Sequence, residues 1–314
     1  MVWTRVTADV PCPICFKPDW CRLNYEKDLV ICNRKESYTP CTDNGGGWFH
    51  STQGIYVPPT KAQDTSLPEY VSKRKLHKAY SNLLDEADYL SPECLKYLEA
   101  RAIKKRSLFA WSESVGDLGH DPEEVRGVPG FYRNPEESFS RINLPRNCLL
   151  IPFLSIEGCI YGLQARHVET KQYLWVSSRN YPNGTPATVR LHWAFPASVK
   201  NYSEIWITEG AIKAESITQN LGHICVGLPG IGAVGSAIKD LRQELPHHPH
   251  KMVVALDQDG NPNTDRAREV LFARKAVPGP TFTAEWPKEF KGVDDAIAGG
   301  AEIKTIQVVN EKWN

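Results

Sequence analysis

The chain has 314 residues, 37 basic against 37 acidic, with 41% hydrophobic residues and a mean hydropathy of −0.41. No apolar stretch approaches a membrane span and no signal-peptide pattern opens the chain, so a cytoplasmic protein with no membrane partner is expected. A net charge of zero gives bulk charge no part in any nucleic-acid argument, which must rest on local groups.

Nine cysteines are present, and five of them fall within residues 12–41. An odd count argues against a complete disulfide framework, and the clustering points to metal. Cys12-Pro13-Ile14-Cys15 is a tight knuckle that presents two thiolates to one tetrahedral Zn²⁺. Trp20–Asn24 and Leu29–Arg34 read as the two strands of a hairpin turning at Glu26-Lys27, a register that sets Cys21 opposite Cys32. The expected structural zinc set is therefore Cys12, Cys15, Cys21 and Cys32, with Cys41 and His50 as alternatives for the fourth ligand. Trp20, Arg22, Arg34, Lys35, Trp48 and Phe49 could hold unpaired bases or simply form the small core of the module. Cys94, Cys148, Cys159 and Cys225 lie in apolar contexts and are expected to be buried.

Residues 51–70, rich in Pro, Thr, Gln and Ser, read as a linker. Leu76, Ala79, Tyr80, Leu83, Leu84 and Ala87 then mark one face of a helix. Ser91-Pro92-Glu93 is an N-cap, first-turn proline and acid opening a second helix that carries Leu95, Tyr97, Leu98 and Ala102. A strand-rich stretch follows: 148–154, 159–168 and 173–176. From 202 the pattern alternates strand 204–208, helix 210–220, strand 223–227, helix 233–245, strand 251–256, helix 264–275 and strand 281–285, which predicts a parallel sheet.

The acids of this last segment carry the chemistry. Glu209, Asp257 with Asp259, and Asp294 with Asp295 each follow a strand or begin a helix. Carboxylates at the carboxyl ends of parallel strands project into the ligand crevice of an α/β sheet. Gathered there they repel one another unless a hard cation such as Mg²⁺ intervenes, which points to metal-assisted phosphoryl or nucleotidyl transfer. A single such acid is as readily a helix cap or a solvated loop residue; the three spaced together favour the site. Lys213, one turn beyond Glu209, is either a phosphate contact or a solvated lysine. Gly227-Leu228-Pro229-Gly230-Ile231-Gly232 is a glycine-rich turn that could cradle phosphate. Gly230 and Gly235 have P-loop spacing, but Ser236-Ala237 replaces the required Lys-Ser/Thr, so no Walker site and no helicase motor are expected.

Glu209-Gly210 followed by Asp257-x-Asp259 resembles the Toprim domain of bacterial primases, topoisomerases and certain nucleases. Cys12-Pro-x-Cys15, Lys17-Pro18-Asp19-Trp20-Cys21, Cys32-Asn33-Arg34 and Gly47-Trp48-Phe49-His50 resemble the zinc ribbon of primases carried by phages, plasmids and mobile elements. Leu90-Ser91-Pro92 through Tyr97-Leu98-x-x-Arg101, and the strands around Gln164-Ala165-Arg166 and Gln172-Tyr173-Leu174, are similar to the primase polymerase core. The resemblance implies an α/β fold: a Toprim-type parallel sheet core (202–314), a preceding mixed α+β subdomain (71–201), a linker (51–70) and a zinc ribbon (1–50). It implies a DNA primase making short RNA primers on single-stranded DNA from NTPs, partnered by a separate replicative helicase. Glu209, Asp257 and Asp259 would hold Mg²⁺ or Mn²⁺, completed by Asp294 or Asp295. Arg166 would face template or nucleotide, and Lys171 would stand in for the lysine that Gln172 replaces. A non-catalytic zinc/Toprim recombination mediator and a Toprim nuclease are the rival readings.

Overall fold

The computed structural model describes residues 3–24, 29–35, 41, 46–51, 71–116, 119–196, 202–245, 249–273 and 280–308. The hairpin turn at Glu26-Lys27 and residues 52–70 of the expected linker lie outside them. Two compact units divide the chain, Met1–Leu67 and Pro68–Asn314.

The first unit is an antiparallel four-stranded sheet in sequential order: β1 (Trp3–Arg5), β2 (Arg22–Asn24), β3 (Leu29–Cys32) and β4 (Trp48–Ser51). Its core is small, comprising Val6, Leu23, Val30 and the buried Cys12, Cys21 and Cys32. Three of its six buried members are thus cysteines, too little apolar surface for a module of this size to fold on burial alone.

The second unit opens with α1 (Lys73–Asp85), capped by Ser72 Oγ accepting from the Lys75 amide at 3.2 Å, and α2 (Pro92–Ala100), capped likewise by Ser91. Then follow β5 (Ala110–Trp111), α3 (Pro122–Val125), the hairpin β6 (Phe131–Tyr132) and β7 (Arg141–Ile142), β8 (Cys148–Leu154), β9 (Ile160–His167), β10 (Tyr173–Trp175) and β11 (His192–Ala194). The alternating part comprises β12 (Glu204–Glu209), α4 (Gly210–Leu221), β13 (Ile224–Leu228), α5 (Val234–Glu244), β14 (Lys251–Ala255), α6 (Pro262–Ala273), β15 (Thr281–Glu285), α7 (Val293–Ala298) and β16 (Lys304–Gln307).

Strands β10-β9-β8-β5 form an antiparallel sheet, and β11-β13-β12-β14-β15-β16 a six-stranded one. The expected parallel sheet is present as β13-β12-β14-β15, but both edges are closed by antiparallel strands, β11 and β16. The sheet is therefore mixed. Neither edge announces itself in the sequence, because β11 is only three residues long and β16 is exposed throughout. Cys94, Cys148 and Cys225 are buried as expected; Cys159, just before β9, is only partly so.

α4 is the hinge of the packing. Its Ala211 and Ile212 lie on the antiparallel sheet with Leu149, Ile151 and Phe153, while Ala214 and Ile217 lie on the mixed sheet with Trp206 and Val253. The opposite face of the antiparallel sheet is covered by α1 through Tyr80 and Leu83. A buried polar chain fixes α4 further. The Leu154 amide donates to His192 Nδ1, so Nε2 carries the ring proton and donates to Glu215 Oε1 at 3.1 Å. Glu215 Oε2 then accepts from Gln219 Nε2 at 2.9 Å, and Gln219 Oε1 accepts the amides of Lys104 and Lys105. The helix bearing the site is thereby tied to the segment that follows α2.

That segment begins with a Schellman turn. The Ala102 amide donates to the Glu99 carbonyl and the Ile103 amide to the Leu98 carbonyl, both at 2.9 Å, and Ile103 and Leu98 share one apolar cluster. Ala102 sits at φ +53°, a position that favours glycine. The left-handed conformation costs a non-glycine residue roughly 1–2 kcal/mol, against about 0.5–1 kcal/mol for the added chain freedom of glycine. Ala102→Gly is expected to raise stability by up to about 1 kcal/mol, read as a higher urea midpoint at unchanged slope.

Glu244, at the end of α5, accepts from Trp193 Nε1 at 2.5 Å, and burial raises its pKa. A carboxyl whose folded pKa is raised contributes stability below its unfolded pKa and loses it as pH rises through the folded value. Glu244→Gln keeps an acceptor for the indole without the buried charge. Its melting temperature is expected to exceed that of the parent at pH 8, and the gap to close near pH 4.

Candidate active site

The four thiols Cys12, Cys15, Cys21 and Cys32 are brought together in the first unit, all within 4.8 Å of one another. Cys12 and Cys15 sit on a knuckle closed by the Phe16 amide on the Cys12 carbonyl, at 2.8 Å. Cys21 and Cys32 follow from the β2–β3 register, in which Arg22 faces Ile31. The Sγ atoms of Cys15 and Cys21 are 3.6 Å apart, and those of Cys21 and Cys32 are 3.9 Å apart. A tetrahedral ion with metal–sulfur bonds of about 2.3 Å requires separations near ~3.8 Å, so the donor set fits zinc. Burial pushes the Cys21 thiol up to about 12. At Cys15 burial acts the same way but is outweighed by the Lys17 amide and the neighbouring thiols, which bring it down to about 7. Cys41 and His50 stand outside the cluster, His50 Nε2 lying 3.0 Å from the Lys35 carbonyl.

In the second unit the acids arrive from three neighbouring elements. Glu209 ends β12, Asp257 and Asp259 follow β14, and Asp294 and Asp295 lie in the first turn of α7. The Thr208 hydroxyl bonds the Ala255 carbonyl at 2.7 Å, locking the ends of β12 and β14 together. The Gln258 amide donates to the Lys291 carbonyl at 3.0 Å, joining the loop after β14 to the start of α7. Gly227, one residue before the end of β13, allows a close approach: a Cβ there would lie 2.6 Å from the Gly210 carbonyl oxygen, so no larger residue fits beside the β12–α4 turn.

Each acid has a distinct environment. Asp257 is buried and its Oδ1 lies 2.6 Å from Lys213 Nζ. Asp259 is more open; its Oδ1 accepts the Asn261 amide and its Oδ2 lies 3.1 Å from Lys291 Nζ. Burial would raise Asp259, but these two partners outweigh it and lower its pKa. Asp294 is 2% exposed, with Oδ2 accepting from Arg101 at 3.0 Å and Oδ1 buried without a hydrogen-bond partner. Asp295 spends one oxygen on the Gly292 amide, as a helix cap, and the other on Arg101 at 2.6 Å. Glu209 Oε1 is also buried and unpartnered. Burial first, then the charge of Asp257, raises the Glu209 pKa; burial raises Asp294 against the pull of Lys213 and Arg101. Lys213 is held charged, since Asp294 and Asp257 outweigh the desolvation that would lower it.

Glu209, Lys213, Arg101 and Asp294 line one cavity of about 270 Å³, together with the Leu228–Gly230 turn, Tyr97, Tyr173 and Gln164. Among the described residues the cysteines are the only His/Cys/Asp/Glu group of three or more closed to within 4.8 Å, so here the acids are separated by cations. They nonetheless fit a divalent ion: two buried carboxylate oxygens have acceptor capacity unused, and Gly292 leaves open the space where a Cβ would lie 2.5 Å from Asp294 Oδ1. Arg166 lies next to this cavity with its guanidinium 3.7 Å from the centre of the Tyr97 ring. Lys171 does not line it; it sits exposed in the β9–β10 turn at φ +59°. Sequence reasoning assigned no role to Arg101 or Lys291. The signal for Lys291 was its place directly before Gly292-Val293-Asp294-Asp295.

A family model described as a domain of unknown function, DUF3854, matches residues 195–303. No curated protein matches. The Aquifex aeolicus primase, as its zinc-binding and RNA polymerase domains, is similar in structure with a TM-score of 0.50 at 15% identity, covering 75% of this chain. The chain spans 63% of the length of that protein. A DNA primase domain from Pseudomonas aeruginosa gives a TM-score of 0.52 at 16% identity, covering 72% of this chain and 75% of its own. No helix among the described residues is long and apolar enough to cross a membrane. The chain is thus similar in fold to bacterial DNA primase cores, and its amino-terminal cysteine cluster fits a zinc ribbon.

Proposed function

We propose that this chain is a DNA primase, synthesising short RNA primers on single-stranded DNA by metal-dependent nucleotidyl transfer. The observation that carries this reading is the cavity in which the half-buried Glu209 and the buried Asp294 face the cations Arg101 and Lys213 beside a glycine-rich turn. Such a cavity suits a polyphosphate brought in with a divalent ion. The acids at the ends of β12 and β14 and at the start of α7 resemble the arrangement of a Toprim domain, which supports this reading.

Glu209, Asp257 and Asp259 would hold Mg²⁺ or Mn²⁺, with Asp294 completing the set. When bound, the ion lowers the pKa of the primer 3′-hydroxyl and offsets charge on the attacked phosphate. Lys213 and Arg101 bind phosphate oxygens, and the Leu228–Gly230 backbone borders the same space. Glu209 is either a ligand of that ion or the base that takes the 3′-hydroxyl proton as the new O–P bond forms and pyrophosphate leaves. The zinc ribbon supplies template recognition, with Phe16 and Trp20 among its exposed aromatics at 75% and 67%. A separate helicase would deliver the template. The motif spacing of the ribbon favours the mobile-element type, acting in the cytoplasm.

The test is incubation of the full chain with single-stranded DNA, Mg²⁺ and labelled NTPs. Labelled polymer is the expected product. Absence of reaction would favour a binding module, and cleavage of the DNA a nuclease.

A further inference from the structure

The face of the antiparallel sheet that looks toward α2 and α4 is apolar on β8, where Leu149, Ile151 and Phe153 pack against Ala211 and Ile212. On β9 the same face is polar. Gln164 stands opposite Ile151 and Arg166 opposite Leu149 in register, and directly opposed residues share a face. Both are more than nine-tenths buried, at 7% exposure each. Arg166 is accounted for by the rings of Tyr97 and Tyr173, at 3.7 and 5.8 Å. Gln164 is not: its side-chain amide makes no hydrogen bond within the described residues, and it lines the cavity shared by Glu209 and Asp294. Neither amide atom is sealed from solvent, so the group opens into the cavity, where it can meet a hydrogen-bonding ligand group.

We propose that Gln164 reads the ribose 2′-hydroxyl of the nucleotide bound in this cavity and so sets the preference for ribonucleotides over deoxyribonucleotides. The inference rests on the polymerase reading for the identity of the ligand. Phosphates are matched by the charged Arg101 and Lys213, to which a neutral amide adds little. The base varies from one templated addition to the next, so a fixed amide on a base edge would oppose copying. The sugar is the constant part of every substrate, and a hydroxyl, both donor and acceptor, complements an amide. A site built to bond a hydroxyl also rejects the analogue that lacks it, because its own polar group is then left unpaired.

Equilibrium binding of ATP, 2′-deoxy-ATP and 3′-deoxy-ATP to the full chain in Mg²⁺ provides the test, compared between the parent, Gln164→Leu and Gln164→Ala. The leucine matches the apolar neighbours on β8, and the alanine adds no volume. The parent is expected to bind ATP and 3′-deoxy-ATP on the order of tenfold to a hundredfold more tightly than 2′-deoxy-ATP. In both variants that preference should fall to within about threefold, with 2′-deoxy-ATP binding retained. A parent indifferent to the 2′-hydroxyl, a preference that survives both substitutions, equal loss of all three nucleotides in both variants, or no nucleotide binding at all would overturn the proposal. Preferential ATP binding without primer synthesis would sink the polymerase reading and leave the Gln164 assignment standing. Primer synthesis blind to the 2′-hydroxyl would do the reverse.

Discussion

Asp257→Ala is expected to lower primer synthesis on the order of a thousandfold or more, while leaving the chain folded. Asp257 is the most enclosed member of the acid group after Asp294, and it alone touches Lys213, at 2.6 Å. Its removal takes a metal ligand and unbalances the ammonium group in one step. Orphaning a buried charge altogether costs about 3–5 kcal/mol. Lys213 still feels Asp294 and Glu209, so a loss of about 1–2 kcal/mol is expected instead. Asp294→Ala and Asp295→Ala should differ. Asp294 turns a free buried oxygen to the cavity, whereas both oxygens of Asp295 are engaged by Gly292 and Arg101. The first should abolish synthesis, and the second should weaken it through the placement of α7 and Arg101. Steady-state incorporation rates paired with urea unfolding of each variant check both statements; equal losses for Asp294→Ala and Asp295→Ala would contradict the division.

Stripping zinc from the full chain is expected to unfold the first unit and leave the second folded. Half of that unit's small core consists of ligand thiols, so without the ion little apolar burial remains to offset chain entropy. Elemental analysis of protein purified without chelators should find one zinc per chain. Limited proteolysis after chelation, or of Cys12→Ser, should cut throughout residues 1–50 and spare the unit beginning at Pro68. Protein free of zinc with an intact, protease-resistant first unit would refute the assignment.

The positions of the acids were legible because each ends or closely follows a strand of the parallel sheet or opens a helix, where local sequence and tertiary placement coincide. Cys21 and Cys32 were legible for a related reason, since a two-stranded hairpin converts spacing into register. The partners of the acids were not. Arg101 meets Asp294 across 193 residues of chain, and no local pattern encodes such a contact. Asp294 and Asp295 are adjacent and chemically identical, and only the rotation of a six-residue helix decides which carboxylate enters the cavity. Lys171, beside the Gln172 that replaces the family's lysine, lies exposed in its turn at positive φ and does not line the cavity, while Arg166 is buried on its strand. The edge strands β11 and β16 escaped because three or four residues carry too short an alternation to read.

Synthesis by the Asp257→Ala, Asp259→Ala double variant tests the central claim most directly. Labelled NTP incorporation on single-stranded DNA in Mg²⁺ should be plain in the parent and absent in the variant, with the zinc content and urea unfolding of the variant showing an intact fold. Incorporation by the double variant at the parental rate would contradict the assignment of these acids as the catalytic centre.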